Sequence, residues 1–446
     1  MAEKVQTRRF QRDFPIAPIW RVDSAYHNVR FTHAFTLLRD GVLTIESEGR
    51  ISVAIAKPDP YTFVYGFDGT LELKAGSYEL EIWVYNDNGL PALRVSGDEI
   101  ISDESWQCGF NSFMMLPCGV CGNGAIAPSA YRLPVRAIKP ATSSDCAGGK
   151  LYDFGKMIMA YPEFVAYKNM PFKCYFGETI AEAMSDGDCE QIDCFTAETG
   201  AYTAPHTFGF QFMRVMTYSP YEMTVWEEFD DTPTVFSYRS DDKLTEKIAE
   251  ISQYTFSLCS REFYLDGIKR DRWIWAGDAY LGAKIDYYVS FDCEKIKRTV
   301  IALLGKSPVV TYINHIMDYT PYTFLTVRDY YEHTRDKEFL RQIYPMLTEH
   351  VGFVLGRRNG SGFLYKQKDD WVHVDWNENL NTDGEVCFEQ ILLWAMLKAY
   401  VLFSNVIGES ADEYDRIADE LKANIDDVFW NEKRGAYFHS RVDGKT

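Results

Sequence analysis

Asp266, Asp271 and Asp278 lie five and seven residues apart in the stretch Asp266-Gly-Ile-Lys-Arg-Asp-Arg-Trp-Ile-Trp-Ala-Gly-Asp278, which also holds Lys269, Arg270, Arg272, Trp273 and Trp275. Such a density of charge beside indoles suits neither an ordinary surface nor an ordinary core. It suits a sugar pocket. Carboxylates there hydrogen-bond hydroxyls and move protons, indole faces pack on the apolar side of a pyranose, and guanidinium groups hold carboxylates charged and in place. Glycoside hydrolysis needs two carboxyl groups: one protonates the leaving oxygen, and the other activates water or attacks the sugar carbon. The acid needs a pKa raised by burial or by neighbouring negative charge. Clustered aspartates raise one another's pKa while Arg270 and Arg272 act the other way, so spacing alone leaves the balance open. An Arg–Asp network that only ties loops together is the alternative reading of the same residues.

Other chemistries fit less well. Calcium asks for a tighter ligand rhythm in a Gly-containing loop, and the interleaved arginines oppose a cation. His315, His333 and His350 lack zinc-ligand spacing, and Cys118-Gly-Val-Cys121 has no second ligand pair at a fitting distance, so it reads as a Gly-rich loop with two thiols. Gly-x-Ser-x-Gly and the glycine motifs for phosphates and dinucleotides are missing. No metal and no cofactor is expected.

The elements that must position these residues change character once, near residue 240. Before it the apolar spacing is mostly two. Tyr78, Leu80, Ile82 and Val84 alternate with Glu79, Glu81 and Trp83, followed by a turn at Asn86-Asp-Asn-Gly89; Gly41–Glu46, Gly49–Ile55, Phe164–Phe176, Gln191–Phe195 and Phe208–Tyr218 also read as strands. Residues 117–150 read as loop or linker. The expectation is two β-sandwich domains, 1–140 and 141–238.

After residue 240 the period is helical. Leu244, Ile248, Ile251, Thr255 and Leu258 share one face behind a cap at Ser240-Asp-Asp242; Phe388, Ile391, Leu392, Ala395, Ala399 and Leu402 form a second stripe, and Ala411, Tyr414, Ile417, Ala418, Leu421, Ile425 and Val428 a third, with capping-box spacing at Ser410 and Glu413. Residues 320–335 and 337–358 predict two more helices. About seven helices are expected over 239–446, joined as hairpins. The Asp-rich stretch falls between the first two. Trp371-Val-His-Val-Asp-Trp-Asn-Glu378, a second mixture of indoles and carboxylates, falls just before a long helix.

The chain has 446 residues, 46% hydrophobic and 15% aromatic, with a formal net charge of −19. A charge of that sign opposes phosphate contact and excludes nucleic acid as a partner. No signal core opens the chain, no window is expected to reach membrane-span length, and ten scattered cysteines predict reduced thiols in a cytoplasmic protein. Nothing in the sequence bears on oligomeric state.

Phe263–Asp278 resembles the active-site signature of bacterial α-L-rhamnosidases, glycoside hydrolase family 78. Tyr152-Asp-Phe-Gly155, Tyr175-Phe-Gly-Glu178, Phe208–Val215 and Phe236–Leu244 resemble the family's β-domain landmarks and the start of its helical domain. The resemblance covers most of residues 150–400. It implies β-sandwich domains followed by an (α/α)6 toroid, and hydrolysis with inversion. By position, Asp271 matches the general acid, where many members have Glu; Asp266 and Asp278 match carboxylates that grip rhamnose hydroxyls; Arg270 matches a basic pocket residue and Trp273 an aromatic wall. Trp371, Asp375 and Trp376 match a later aromatic segment. The family's general base is a Glu further downstream, and no Glu here can be assigned to it. Seven helices against a toroid's twelve lead to the expectation of an incomplete helical domain, weakly active or inactive alone. A non-catalytic carbohydrate-binding protein, or a toroid glycosidase of other sugar preference, is the alternative.

Overall fold

The computed structural model describes residues 4–7, 28–85, 92–103, 105–109, 116–121, 133–197, 200–204, 206–261, 263–305, 308–368, 370–377 and 379–445. The turn expected at 86–89, and Glu378, lie outside them. The chain divides into two compact units, with the sequence boundary between Phe229 and Asp230.

The first unit is built from strands. β1 (Lys4–Thr7), β2 (Asn28–Leu37), β3 (Gly41–Glu48), β4 (Arg50–Lys57), β5 (Thr62–Phe63), β6 (Thr70–Leu73), β7 (Gly76–Tyr85), β8 (Ala92–Ser96), β9 (Gln107–Gly109) and β10 (Leu116–Cys121) form one sheet, ordered β5-β4-β7-β2-β9-β10-β1-β8-β3-β6. Alternation does what the spacing promised. Leu80, Ile82 and Val84 of β7 are wholly buried against Val29, Phe31, Leu43, Val53, Leu93 and Trp106, which come from both halves of the sheet, so the sheet folds over its own core as a sandwich. Glu81 is buried too, because Arg30 (2.5 Å), the Tyr61 hydroxyl (3.0 Å) and the Trp83 indole (2.9 Å) all donate to it.

A second sheet joins β11 (Val135–Ile138), β12 (Thr142–Cys146), β13 (Gly149–Ala166), β14 (Met170–Gly177), β15 (Gln191–Ala197), β16 (Gly200–Thr203), β17 (Phe208–Met216) and β18 (Tyr221–Glu228), with the short helix α1 (Ile180–Met184) beside β14. Its core is aromatic: Phe164, Phe172, Phe176, Phe208 and Phe210. Two expectations are corrected here. Residues 117–150 are not plain loop, since β11, β12 and all but the first residue of β10 lie within them, and Cys118 is buried in the first core rather than set in a Gly-rich loop. Gly and Ser lower strand propensity, but paired neighbours supply the hydrogen bonds that propensity does not.

The second unit is helical. α2 (Lys243–Cys259), α3 (Ala276–Val289), α4 (Cys293–Leu304), α5 (Tyr319–Thr334), α6 (Lys337–Leu355), α7 (Cys387–Ile407) and α8 (Asp412–Phe429) are its α-helices among the described residues. The Asp242 side chain caps α2 by accepting from Leu244 N–H at 3.0 Å. The capping box at Ser410 and Glu413 does not form: Ala411 takes the N-cap position of α8 without a side-chain bond. The stripe on α2 points outward, with Leu244, Ile248 and Ile251 all exposed. On α7 the buried face is centred on Leu393, Met396, Tyr400 and Phe403, and Ile391 is exposed. With so many apolar residues around that helix, periodicity could not select the face. α7 is also long and apolar enough to cross a bilayer by length and composition, against expectation. It packs on α5, α6 and α8 and buries Glu389 and Gln390, as a core helix does.

Candidate active site

The connection between α2 and α3 is anchored before it reaches its carboxylates. Tyr264 is buried and donates to Asp286 of α3 at 2.5 Å, and its ring lies so close to α3 that a Cβ on Gly282 would approach it to 2.9 Å. Leu265 N–H donates to Cys259 O at 2.9 Å. The chain then closes a tight loop. Asp266 N–H donates to Trp273 O at 3.1 Å, and Trp273 N–H donates to the Asp266 carboxylate at 2.9 Å. Closure needs two consecutive left-handed residues, Asp271 at φ 48° and Arg272 at φ 54°. That conformation is unfavourable for residues with a Cβ by roughly 1–3 kcal/mol each, and such strain gathers at functional sites. Of the eight non-glycine residues with positive φ among the described residues, Asp271, Arg272, Asn314, His315 and Val374 lie in segments that build this site.

The turn leaves Asp271 exposed, where its carboxylate accepts from the Trp275 indole N–H at 3.3 Å. Arg272 is buried and Arg270 exposed. Trp273, expected as an aromatic wall, is buried at 5% exposure, whereas the half-buried Trp275 meets Asp271. Burial pushes the Asp266 carboxyl up to about 7, and Asp271 and Asp278 add to the rise, against the hydrogen bond from Trp273. Asp278, in the first turn of α3, keeps part of its surface open to solvent; the protein packed around its carboxyl raises its pKa, and His373 opposes the rise.

Three further segments meet this loop. Asn314, in a single 3-10 turn at Ile313–His315, accepts from Ala276 N–H at 3.1 Å and donates to Ile274 O at 3.2 Å, pinning the start of α3. Its own φ of 53° suits Asn better than most residues. Asn314→Ala leaves a buried N–H unsatisfied and is expected to lower unfolding free energy by about 2 kcal/mol, measured by urea titration. Tyr319, opening α5, packs edge-on against Trp275 with centroids 6.1 Å apart and against His373 at 6.3 Å. His373 lies 4.6 Å from the Trp376 ring and 6.0 Å from Trp371, so the aromatic path runs from the Asp loop to the later segment. Trp371 and Trp376 therefore join the site, Trp376 at its outer edge with 82% exposure. Asp375 is exposed, and its carboxylate accepts from Trp376 N–H at 2.7 Å, a bond within its own segment rather than to the Asp loop.

Sequence reasoning passed over Asn314, Asp318, Tyr319, His373 and Glu389, and gave Trp275 no role beyond that of an indole in the Asp-rich stretch. Asp318 carried a signal, an acidic residue just ahead of a predicted helix, but that signal reads as a cap. His373 stood inside a quoted stretch without any ligand partner in sequence.

Residues 233–445 match the family model for the bacterial α-L-rhamnosidase six-hairpin glycosidase domain, and residues 29–116 and 120–211 match that for the N-terminal domain of α-rhamnosidase-like proteins of bacteroidetes. The chain belongs to the bacterial α-L-rhamnosidase family. No match was found among curated protein sequences. Among solved structures, a rhamnosidase from Klebsiella oxytoca with rhamnose bound is 19% identical, with a TM-score of 0.56 over 68% of this chain and 66% of that one. A family 78 rhamnosidase of Bacillus sp. GL1 is 17% identical, with a TM-score of 0.58 over 100% of this chain and 56% of that one. The Streptomyces avermitilis α-L-rhamnosidase complexed with L-rhamnose is 14% identical, with a TM-score of 0.52 over 94% and 50%. At these identities the likeness speaks for the fold: β domains followed by a six-hairpin-type helical domain. The chain spans about half to two thirds of the length of these structures.

Proposed function

We propose that this protein is an inverting α-L-rhamnosidase, removing terminal α-linked rhamnose from glycosides or polysaccharides. The observation that carries the proposal is the left-handed turn at Asp271–Arg272, which presents one accessible carboxyl beside an indole, with Asp266 and Asp278 close enough to act on each other's charge. Asp271 gives its proton to the leaving oxygen. Asp266 and Asp278 hydrogen-bond the sugar hydroxyls, and Arg270 and Asp375 stand at the rim. Trp275, Trp371 and Trp376 offer apolar faces to the pyranose and its methyl group, with Trp273 supporting the loop from within. Turnover of an aryl α-L-rhamnoside, set beside aryl glucosides and galactosides, tests the activity and the sugar preference; rhamnose binding without any turnover would instead mark a carbohydrate-binding protein. The anomer released first, read by NMR, tests inversion.

A second assignment of the acid has an observation in its favour. Asp266, not far from neutral in its titration, is a carboxyl that holds a proton where enzymes of this kind work. On this assignment activity is expected to fall as pH rises through about 7, as Asp266 loses the proton it would donate. A flat rate profile between pH 6 and 8 would show that its charge state is irrelevant to turnover. We also propose a bacterial, cytoplasmic setting, which nine free thiols among the described residues support.

A further inference from the structure

Two carboxyl groups beside the site have no part in the reaction above. Asp318, at the N-cap position of α5, is 2% exposed, and Glu389, in the first turn of α7, is 1% exposed. Both oxygens of Glu389, and Oδ1 of Asp318, have no hydrogen-bond partner among the described residues. A fully buried carboxylate with no donor is far costlier than a buried neutral acid, so such a group keeps its proton.

Asp318 stands in different surroundings. It makes no side-chain bond to its own helix. Its carboxyl instead lies near the backbone N–H of His373, whose ring is also close. The backbones repeat the tie: Ile316 bridges Trp371 in parallel, and Met317 N–H donates to Trp371 O at 3.0 Å. The segment before α5 is thus stitched to the Trp371–Trp376 segment through the backbone, and the Asp318 carboxyl lies beside the next residue of that tie, His373.

We propose that Asp318 and Glu389 are a positioning pair for the candidate active site, in which Glu389 carries a proton and Asp318 a charge, so that Asp318 holds the His373 amide and sets Trp371 and Trp376 against the Asp266–Asp278 loop. The groups facing the pair agree. Asp318 faces His373, Tyr319, Tyr322 and Glu389; Glu389 faces Asp318 and the phenols of Tyr322 and Tyr312, and beyond Tyr312 lie Arg357 and Asp370, paired with each other at 2.5 Å. Burial pushes Asp318 up to about 6, with His373 opposing the rise, and pushes Glu389 well above the ordinary carboxylate range, with Asp318 adding to it.

The catalytic consequence rests on the rhamnosidase reading; the protonation states do not. Infrared spectroscopy at about pH 8 should show the carbonyl band of a protonated carboxylic acid in the whole 446-residue chain, lost in Glu389→Gln and kept in Asp318→Asn. Wild-type tryptophan fluorescence should titrate near pH 6, unaltered in Glu389→Gln and abolished in Asp318→Asn. If aryl rhamnoside is turned over, Asp318→Asn should lose roughly 10–100-fold in kcat/KM through misplacement of the aromatic segment, and Glu389→Gln, which mimics the neutral acid, should keep near-parental activity. A carbonyl band that survives Glu389→Gln overturns the proposal, as does a fluorescence titration indifferent to Asp318. Both spectroscopic arms read out without turnover, so absent activity would sink the rhamnosidase reading alone. The infrared comparison of wild type with Glu389→Gln does not depend on a folded Asp318 variant.

Discussion

Asp271→Asn is expected to slow hydrolysis of an alkyl α-L-rhamnoside by roughly 10²–10⁴-fold, the usual contribution of a positioned general acid. A nitrophenyl rhamnoside should lose much less, because that leaving group departs without a proton. Rhamnose affinity, read by calorimetry, should change little, since Asp271 lies exposed in the turn and the proposed grip on the hydroxyls comes from Asp266 and Asp278. Asp266→Asn should give another pattern: weakened rhamnose binding and equal losses on both substrates. Should the leaving-group dependence follow Asp266 instead, the roles of the two aspartates are exchanged. Thermal melts across pH give a separate check on Asp266. Its folded-state pKa lies above its unfolded value, so its contribution to stability is complete below about pH 4 and lost as pH rises through about 7. Relative to wild type, Asp266→Asn should therefore gain stability between those limits and keep the gain above them.

Lys295→Met should destabilise the helical unit by about 3–5 kcal/mol, the typical result of removing one partner from a buried ion pair. The Lys295 ammonium, with 2% of its side chain exposed, donates to Asp230 at 2.5 Å and to Ser260 Oγ at 2.8 Å, and lies 3.7 Å from Asp292. It thereby joins the start of the unit, the end of α2 and the start of α4 in one place. Methionine fills similar volume but leaves the Asp230 carboxylate without its cation. Burial alone would raise Asp230; the Lys295 charge and hydrogen bonds from Lys295 and Thr232 outweigh it and hold the carboxyl below its usual value. Its contribution is therefore present above the unfolded-state value and lost as pH falls through the depressed one. The gap between wild type and Lys295→Met, measured by urea unfolding, should narrow in strong acid. A gap unchanged down to about pH 2 would mean that the loss comes from packing rather than from charge.

The limits of periodicity show in particular elements. The β7 alternation and the Asp242 cap of α2 were legible because each depends on neighbours in sequence, through strand pleat and through a side chain reaching its own helix. The outward stripe of α2 and the misplaced face of α7 were not, because helical period tells that a face exists and not what covers it. The same division runs through the site. Asp266, Asp271 and Asp278 announced themselves by crowding within one loop. Asp318, His373 and Glu389 stand far from that loop in sequence, and each taken alone resembles a cap, a loop residue or a helix-surface acid.

By itself, then, the order of residues determined the class of the fold, the loop that carries the carboxyls and the kind of chemistry that loop suits. These depend on local spacing, helix and strand period, and residue type. Only the tertiary structure decided which carboxyl holds a proton, which indole meets Asp271 and what sets the aromatic segment in place. Protonation follows from burial and from charges brought together across the chain, and neither has a signature in spacing.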